Sequence, residues 1–250
     1  MPRLVILGTS GAISSSSRDN TFMVLDNLRS SILIDCAGSP VYKLSKAKVD
    51  YRKIASIIIT HTHIDHIYGL PSIIHSLWLE GRKKRLDIFC PQGAEKFIQN
   101  LIKSFSLLNL PSMFDIRVSK VGLKRMTNFI KGDKIKIYSI PVKHNLPAMG
   151  LKIMIRAKTI VYSGDTAPVL PVIKASHNVD YLIHECNFAK GESLDHTNLK
   201  QIGEIIKKSR PKHTILVHLN TLDDFKGWKR IIDTSLYDVQ IAKDFLEIKL

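Results

Sequence analysis

Hydrophobic and polar residues along the chain follow two periods, one typical of β-strands and one typical of α-helices. Short apolar runs bounded by Gly, Pro, Asn or Ser predict strands, and they cover residues 3–8, 21–26, 31–36, 57–60, 86–91, 116–121, 134–141, 151–157, 158–163, 181–186, 213–219 and 238–250. Apolar residues spaced three and four apart predict helices, and they cover residues 38–49, 69–79, 94–107, 168–175 and 196–209. No linker rich in Pro or Ser divides the chain. We therefore expect one α/β domain over residues 1–250, with two sheets sandwiched between helix layers.

Basic residues outnumber acidic ones by a wide margin. The chain has 37 Lys and Arg against 22 Asp and Glu, a formal net charge of +15. Such a surface attracts polyanions, nucleic acid among them, but a lysine-rich composition also occurs in thermophile-like proteins for reasons of stability. The run Arg82-Lys83-Lys84-Arg85 is either a solvated loop or a phosphate contact. Residues 117–136 are also basic and could extend the same positive face.

The sequence contains no sign of secretion or of a membrane span. No stretch approaches the roughly 18 apolar residues of a membrane helix, and residues 1–20 lack the basic start and apolar run of a secretory signal. Cys36, Cys90 and Cys186 are isolated, which argues against a disulfide framework. A cytoplasmic protein in a reducing compartment, without a membrane partner, is the expectation.

Three histidines and an aspartate follow the predicted strand that ends at Thr60. His61 and His63 alternate on extended backbone and can therefore point at one metal ion. A turn at Asp65 and His66 would direct these two side chains towards a second ion. Imidazole and carboxylate suit zinc and, less selectively, manganese or iron. A lone histidine is more often an ordinary core or surface residue, but four ligand-type residues after one buried strand favour a metal site.

Three further candidate ligands lie at the ends of predicted strands. His144 follows residues 134–141, Asp165 follows residues 158–163, and His218 lies at the end of residues 213–219. Side chains from several strand ends converge on one edge of a sheet, so these residues can meet the histidine loop. Their shared placement supports this assignment, whereas His177 and His213 lack it. Asp35, at the end of another strand, is either a hydrogen-bonding brace for the ligand loop or an ordinary turn carboxylate.

Several motifs resemble those of a known superfamily. The segment His61-Thr62-His63-Ile64-Asp65-His66 resembles the signature of the metallo-β-lactamase superfamily, which has a four-layer αββα sandwich of two mixed sheets and a two-metal site. Further segments are similar to motifs of its tRNase Z (ribonuclease Z) group, namely Asp35-Cys36 and residues 60–71, 143–150, 162–168 and 184–188. The first motif occurs throughout the superfamily, whereas Ser163-Gly164-Asp165-Thr166 is more particular to this group.

The resemblance implies a role for each site residue. One zinc would be held by His61, His63 and His144, the second by Asp65, His66 and His218, and Asp165 would bridge the two. Glu185 and His196 would together protonate the leaving group, and Asp65 would accept the proton of the attacking water. The cofactor would be two Zn²⁺, with Mn²⁺ or Fe²⁺ as alternatives. An aspartate at the bridging position, where antibiotic-hydrolysing members carry cysteine, argues against lactamase activity.

Two departures from the tRNase Z pattern affect the expected substrate. The long basic arm that grips tRNA would lie between His144 and Asp165, where this chain has only a short hairpin over residues 151–163. The arginine-bearing segment after the last histidine is replaced by Leu219-Asn220-Thr221-Leu222-Asp223-Asp224. The chain therefore resembles an arm-less relative that acts on a different or smaller phosphodiester.

The expected function is that of a dinuclear, metal-dependent phosphodiesterase or nuclease of tRNase Z type. Its substrate would be a phosphodiester, with RNA as one candidate, and the protein would form a homodimer through the hydrophobic helix at residues 70–79. One alternative is hydrolysis of a thioester or lactone. Another is a nucleic-acid-binding relative without catalysis, although all seven ligand positions and the Glu–His pair are filled.

Overall fold

The computed structural model describes residues 1–27, 29–223 and 225–250, and these residues form fourteen strands and six α-helices. The strands are β1 (Arg3–Gly8), β2 (Phe22–Asp26), β3 (Ser31–Ile34), β4 (Ile54–Ile58), β5 (Leu86–Pro91), β6 (Ile116–Val121), β7 (Thr127–Lys131), β8 (Ile135–Pro141), β9 (Met149–Ile155), β10 (Lys158–Tyr162), β11 (Tyr181–Glu185), β12 (His213–Val217), β13 (Val239–Ile241) and β14 (Leu246–Lys249). The helices are α1 (Pro40–Lys46), α2 (Ile64–Ile67), α3 (Leu70–Leu79), α4 (Glu95–Ser104), α5 (Leu170–Ala175) and α6 (Leu199–Ser209). Short 3₁₀ turns cover Tyr51–Lys53, Leu107–Asn109 and Trp228–Arg230.

The strands form two seven-stranded sheets of similar plan. The first sheet has the order β14-β1-β2-β3-β4-β5-β6, and the second has the order β13-β12-β11-β10-β9-β8-β7. Strands β14 to β3 of the first sheet are antiparallel, and β3 to β6 are parallel. In the second sheet β7 to β10 are antiparallel and β10 to β13 are parallel. Both sheets are therefore mixed, as predicted.

Both faces of the central strands are buried. On β1, Leu4 and Ile6 contribute to the core between the two sheets, whereas Val5 and Leu7 belong to a cluster shared with the helices that cover the first sheet. This alternation follows from the two-residue period of a strand. Helices α5 and α6 cover the outer face of the second sheet through residues such as Val172 and Ile205. The order of layers is helix, sheet, sheet, helix, which confirms the predicted αββα sandwich.

The structure differs from the prediction at two informative places. Strand β7 was not predicted, because it lies at the edge of its sheet and its first four residues are only half-buried, which leaves no apolar run. The last long helix begins at Leu199 rather than at residue 196. Asn198 caps it, since its side chain accepts a hydrogen bond from Gln201 N while the Gln201 side chain accepts one from Asn198 N. His196 consequently lies in the loop before this helix.

Two predicted segments include residues outside the described ranges. The turn between β2 and β3 contains Leu28, and the segment after the last histidine ends at Asp224. The antiparallel pairing of β2 with β3 is present as predicted. Within the part of the chain that the structure describes, no helix has the length and apolar character needed to cross a bilayer.

Candidate metal centre

The loop after β4 changes from extended to helical backbone within a few residues. His63 is extended, with φ −63° and ψ 149°, and it directly precedes α2. This single helical turn carries Asp65 and His66 and is closed by a hydrogen bond from His66 N to His63 O at 3.0 Å. A helical turn rotates successive side chains by about 100°, so Asp65 and His66 leave the line set by His61 and His63.

Sharp turns at three strand ends aim other side chains towards this loop. Asp35, Gly164 and His218 have positive φ values of 59°, 57° and 56°, a conformation that is uncommon for residues other than glycine. A Cβ atom on Gly164 would lie only 2.8 Å from Met149 O, so that position needs glycine. Strands β8, β10 and β12 run in the same direction, and their carboxyl ends therefore meet at one edge of the second sheet.

Three imidazoles form what we call the first donor group: His61, His63 and His144. His61 Nε2 lies 3.0 Å from His63 Nδ1, and His144 Nε2 lies 3.1 Å from the same atom. The other nitrogens of the two outer rings are held by neutral partners, since His61 Nδ1 contacts Thr60 Oγ1 at 3.2 Å and His144 Nδ1 contacts Asp195 O at 3.1 Å. Three nitrogens thus face a common point.

A second donor group consists of Asp65, His66 and His218, all of them buried. Asp65 Oδ2 lies 3.5 Å from His66 Nε2 and 3.4 Å from His218 Nε2. Asp165 Oδ2 lies between the two groups, at 3.6 Å from His61 Nε2, 3.5 Å from His66 Nε2 and 3.1 Å from His218 Nε2. The structure therefore brings together all seven residues that the sequence suggested as ligands.

The spacing of these atoms fits divalent cations. Ligand atoms about 2.0–2.2 Å from a tetrahedral zinc lie roughly 3.3–3.6 Å from one another, and the contacts within the two groups run from 3.0 to 3.6 Å. Among the described residues, the buried atoms His66 Nε2, His218 Nε2 and Asp165 Oδ1 also have no hydrogen-bond partner. Buried polar atoms are rarely left without a partner, so the donor set could hold two metal ions.

Asp35 braces the second donor group from behind. Its Oδ2 lies 2.9 Å from His66 Nδ1, and its Oδ1 accepts a hydrogen bond from Thr60 N at 2.7 Å. The Thr60 hydroxyl also contacts both Asp35 oxygens. Of the two interpretations of Asp35 that the sequence left open, the structure shows the brace. A carboxylate behind an imidazole fixes the orientation of the ring and makes its free nitrogen more basic.

The pKa values of the histidines differ between the two groups. Burial lowers the pKa of His61, His63 and His144, and neighbouring histidines add to the effect. Burial also disfavours the charged form of His66, but Asp165 and Asp35 outweigh it and raise the pKa of His66 well above its usual value. Although burial opposes it, His218, His66 and His61 hold the pKa of Asp165 well below its usual value. The second group therefore lies in a region of negative charge, which attracts a cation.

Glu185 and His196 form a pair beside the two donor groups. Glu185 is fully buried at the end of β11, and its Oε1 lies 3.0 Å from His196 Nδ1 and accepts hydrogen bonds from Thr166 N and Thr197 N at 3.1 Å. Burial alone would lower the pKa of His196, but the hydrogen bond with Glu185 raises it to about 9. The His196 ring lies 5.3 Å from the His144 ring and 5.5 Å from the His218 ring, measured between centroids.

A cavity of about 340 Å³ opens above the donor groups. It is lined by Ala12, Ile13, His63, Ile64, Asp65, Asp165, Asn187, His196, His218 and Asn220. Ile13 and Ile64 are 52% and 75% exposed, which is unusual for isoleucine and leaves two apolar surfaces beside the polar floor. Sequence patterns gave no role to Ile13, Asn187, Asp195 or Asn220, although the last three lie within two residues of Glu185, His196 or His218.

Other residues singled out in the sequence lie apart from the centre. His75 stacks on Trp78 of α3, and His213 pairs with Asp238 at the far end of β12. Arg82 donates hydrogen bonds to the carbonyls of Ile54, Lys84 and Arg85, which gives part of the basic run a structural use.

Comparisons with known proteins agree with this architecture. A ribonuclease Z of Methanosarcina acetivorans is 22% identical, with 100% of this chain and 98% of that protein covered, in an alignment of 306 positions. The crystal structure of the short form of human tRNase Z superposes with a TM-score of 0.82 at 22% identity and covers 99% of this chain and 98% of the other. A diphosphatase of the PhnP family superposes with a TM-score of 0.81 at 18% identity, with 100% of this chain and 98% of the other covered.

The fold, the histidine-rich loop and the likeness to these proteins place the chain among hydrolases of the metallo-β-lactamase fold. The family described as Anti-Pycsar protein Apyc1 matches residues 2–230, which is most of the sequence. The chain belongs to this family.

Proposed function

We propose that the protein is a dinuclear metal-dependent phosphodiesterase that hydrolyses a small phosphodiester, such as a cyclic mononucleotide. One observation carries the proposal: two donor groups share Asp165 at the floor of a cavity of about 340 Å³ whose wall contains His196, the hydrogen-bond partner of the buried Glu185. This volume is near the lower end of the range for small-molecule sites. It suits one nucleotide better than a folded RNA.

The ligand roles follow from the donor geometry. The first donor group would hold one ion and the second donor group the other, with Asp165 shared between them. When bound, two divalent ions supply hydroxide near neutral pH and positive charge opposite the phosphate. Zinc fits a set of imidazoles and carboxylates, and manganese or iron is the alternative.

His196 is placed to donate a proton to the leaving oxygen. Its Nδ1 is engaged by Glu185 at 3.0 Å, so Nε2 is the nitrogen that can exchange a proton with a substrate in the cavity. The buried Glu185 carboxylate stabilises the protonated ring and fixes its orientation. Asp65 also lines the cavity and would accept the proton of the attacking water. Removal and delivery of protons are thus assigned to different residues.

This proton donor favours a phosphodiester over a thioester. A departing sugar alkoxide is a strong base and needs a proton, whereas a thiolate leaves readily because the pKa of a thiol is only about 8.5. The apolar side chains of Ile13 and Ile64 and the amides of Asn187 and Asn220 would contact the base and sugar.

The short β9–β10 hairpin supports a small substrate. The two strands are joined at Arg156 and Ala157, so no arm projects between His144 and Asp165. The alignment with ribonuclease Z spans more positions than the 250 residues of this chain, consistent with extra segments in the relative. Precursor tRNA is the second candidate substrate. The high net positive charge of the chain favours it, because a positive surface attracts a polyanion.

A substrate panel tests the proposal. Zinc- or manganese-loaded protein is incubated in parallel with 3′,5′-cyclic mononucleotides, precursor tRNA, bis(p-nitrophenyl) phosphate and a glutathione thioester. We expect hydrolysis of the cyclic nucleotides and of the chromogenic diester, with little cleavage of tRNA. The variant His196→Asn should lose most activity, whereas His177→Asn, an exposed histidine elsewhere, should retain it. Metal-loaded protein that leaves every phosphodiester intact, or that cleaves only the thioester, would overturn the proposal.

We further propose a homodimer. The apolar positions Leu70, Ile73, Ile74 and Leu77 of α3 are buried in the core of this same chain, so a contact through this helix would use the outward residues around His75 and Leu79. Light scattering on the purified protein gives its mass directly. A mass near 28 kDa would exclude the dimer.

A further inference from the structure

A second cavity lies on the other side of the loop that borders the metal centre. This cavity measures about 740 Å³ and is lined by Ser14 to Asp19, by α1 and by the connection between β13 and β14. Ala12 and Ile13 of the same loop line the metal cavity. The loop between β1 and β2 is therefore a wall shared by the two cavities.

Positive charge in the second cavity exceeds negative charge. Asp19 and Asp244 are its only carboxylates among the described lining residues, and Lys43 Nζ contacts them at 3.3 and 2.8 Å. Lys46 and Lys243 are exposed and have no carboxylate partner within the described ranges. With both carboxylates paired, the remaining cations create a positive potential that attracts anions.

Arg18 interacts electrostatically with Asp244, to which the Thr9 hydroxyl links it, but makes no direct ion pair among the described residues. This half-buried side chain donates through Nη1 to Thr9 Oγ1 at 2.6 Å and to Ala242 O at 2.5 Å. In the described part of the chain, no carboxylate lies within ion-pair distance of its guanidinium group, and no hydrogen bond uses Nε or Nη2. Burial lowers the pKa of Arg18, but an arginine stays protonated in proteins. Its planar group presents paired N–H donors that match the oxygens of a phosphate.

The cavity lining also includes serine hydroxyls and one aromatic ring. The exposed hydroxyls of Ser14 and Ser16 make no hydrogen bond to any described residue and can donate to phosphate oxygens. The Phe245 ring lies beside the cations of this cavity, with Lys43 Nζ and Lys46 Nζ at 5.0 and 4.9 Å from its centroid, and the residue has φ 69°, a strained conformation for a bulky side chain. A free phosphate would fill only a small part of 740 Å³, so the cavity has room for the sugar and base of a nucleoside phosphate as well.

We propose that this cavity binds a nucleoside phosphate, whose phosphate group contacts Arg18, Lys46 and Lys243, and that its occupation steadies the loop carrying Ile13 at the metal centre. The site is separate from the donor groups and requires no metal. Binding there would couple to turnover because the two ligands contact opposite sides of one loop.

The first test is binding stoichiometry. Metal-loaded protein is titrated with 5′-AMP by calorimetry, with adenosine as the probe that lacks phosphate. The double variant Lys46→Gln/Lys243→Gln should bind one equivalent fewer than the wild type, or bind that equivalent at least ten-fold more weakly. The matched control Lys207→Gln/Lys208→Gln removes the same charge from the exposed end of α6 and should behave as the wild type. Equal stoichiometry and affinity in all three proteins would overturn the proposal.

The second test addresses the coupling to the metal centre. Hydrolysis of bis(p-nitrophenyl) phosphate is measured with and without 5′-AMP. A nucleotide in the metal cavity competes with the substrate and raises the apparent KM. This rise in KM should be the same in the wild type and the double variant. A change in kcat of several-fold should appear in the wild type and the α6 control but not in Lys46→Gln/Lys243→Gln. The same kcat response in all three proteins would show that the second cavity is not coupled to turnover.

Discussion

The two donor groups of the metal centre differ in the partners that hold their imidazoles. In the first donor group, His61 and His144 are backed by the neutral Thr60 hydroxyl and the Asp195 carbonyl. In the second donor group, His66 is backed by the carboxylate of Asp35, and Asp65 is itself a carboxylate. The second group is also entirely buried, whereas His63 and His144 are only half-buried.

This difference indicates that the two ions would be held with unequal strength. A divalent cation in the second donor group would interact with Asp65, Asp165 and, through His66, with Asp35, in surroundings that screen charge poorly. An ion in the first donor group would share only Asp165. We therefore expect the second ion to bind more tightly and the first to exchange more readily.

The largest effect should follow from loss of the residue that the groups share. Asp165→Ala removes the carboxylate that lies between them, so both ions should be lost and hydrolysis of bis(p-nitrophenyl) phosphate should fall by at least about 1,000-fold. Metal content measured by mass spectrometry checks the cause. The control Asp115→Ala changes an exposed carboxylate outside the site and should leave both properties intact. An Asp165→Ala protein that retains two ions would contradict the bridging role.

Loss of the proton donor His196 should reduce activity without changing metal binding by either donor group. His196→Ala should lower kcat by about 100- to 1,000-fold while both ions remain bound. Glu185→Gln removes the charge that raises the pKa of His196 to about 9. The proton is held below that pKa and lost above it, so in Glu185→Gln the alkaline fall in kcat should move to lower pH. An unchanged pH profile would argue that Glu185 has no influence on the donor.

Removal of the Asp35 brace should weaken metal binding by the second donor group and leave the first donor group nearly unchanged. Asp35→Asn keeps the size of the side chain but removes its charge behind His66, so affinity for the second ion should fall by about 10- to 100-fold, while affinity for the first ion changes little. Metal titrations followed by calorimetry resolve the two steps. Equal losses at both steps would mean that Asp35 supports the whole loop rather than one group.

The smallest predicted effect is a difference between the chelator concentrations that release the two ions. Stepwise addition of a chelator to the loaded wild type should release one ion at a concentration about ten-fold below that needed for the other. In Asp35→Asn the two steps should merge. Release of both ions together from the wild type would show that the groups bind with equal strength despite their different surroundings.

Much of this centre can be predicted from short stretches of sequence. The motif from His61 to His66 combines a buried strand with one helical turn, and both are local features with recognisable patterns. Asp165 and His218 could be proposed because strand ends are visible as the limits of apolar runs. The αββα sandwich follows from the alternation of such runs with amphipathic helices and from the resemblance to the metallo-β-lactamase superfamily.

Edge strand β7 could not be predicted, because it has no clear apolar pattern. Its residues Thr127–Lys131 pair with only one neighbour and are mostly half-buried, so selection for an apolar pattern is weak. The start of α6 was placed too early, because the capping interaction between Asn198 and Gln201 is a matter of side-chain geometry rather than of periodicity.

Only the tertiary structure shows which neutral or charged group lies behind each imidazole. Asp195 O reaches His144 across 51 residues and Asp35 reaches His66 across 31, and no local pattern records such pairs. The same applies to the cavity beside Arg18, which needs α1, the loop after β1 and the β13–β14 connection to meet. Backbone periodicity depends on neighbours along the chain, so residue order is enough to predict it. The electrostatic environment of a side chain depends on distances through space, and these exist only once the two sheets have packed together.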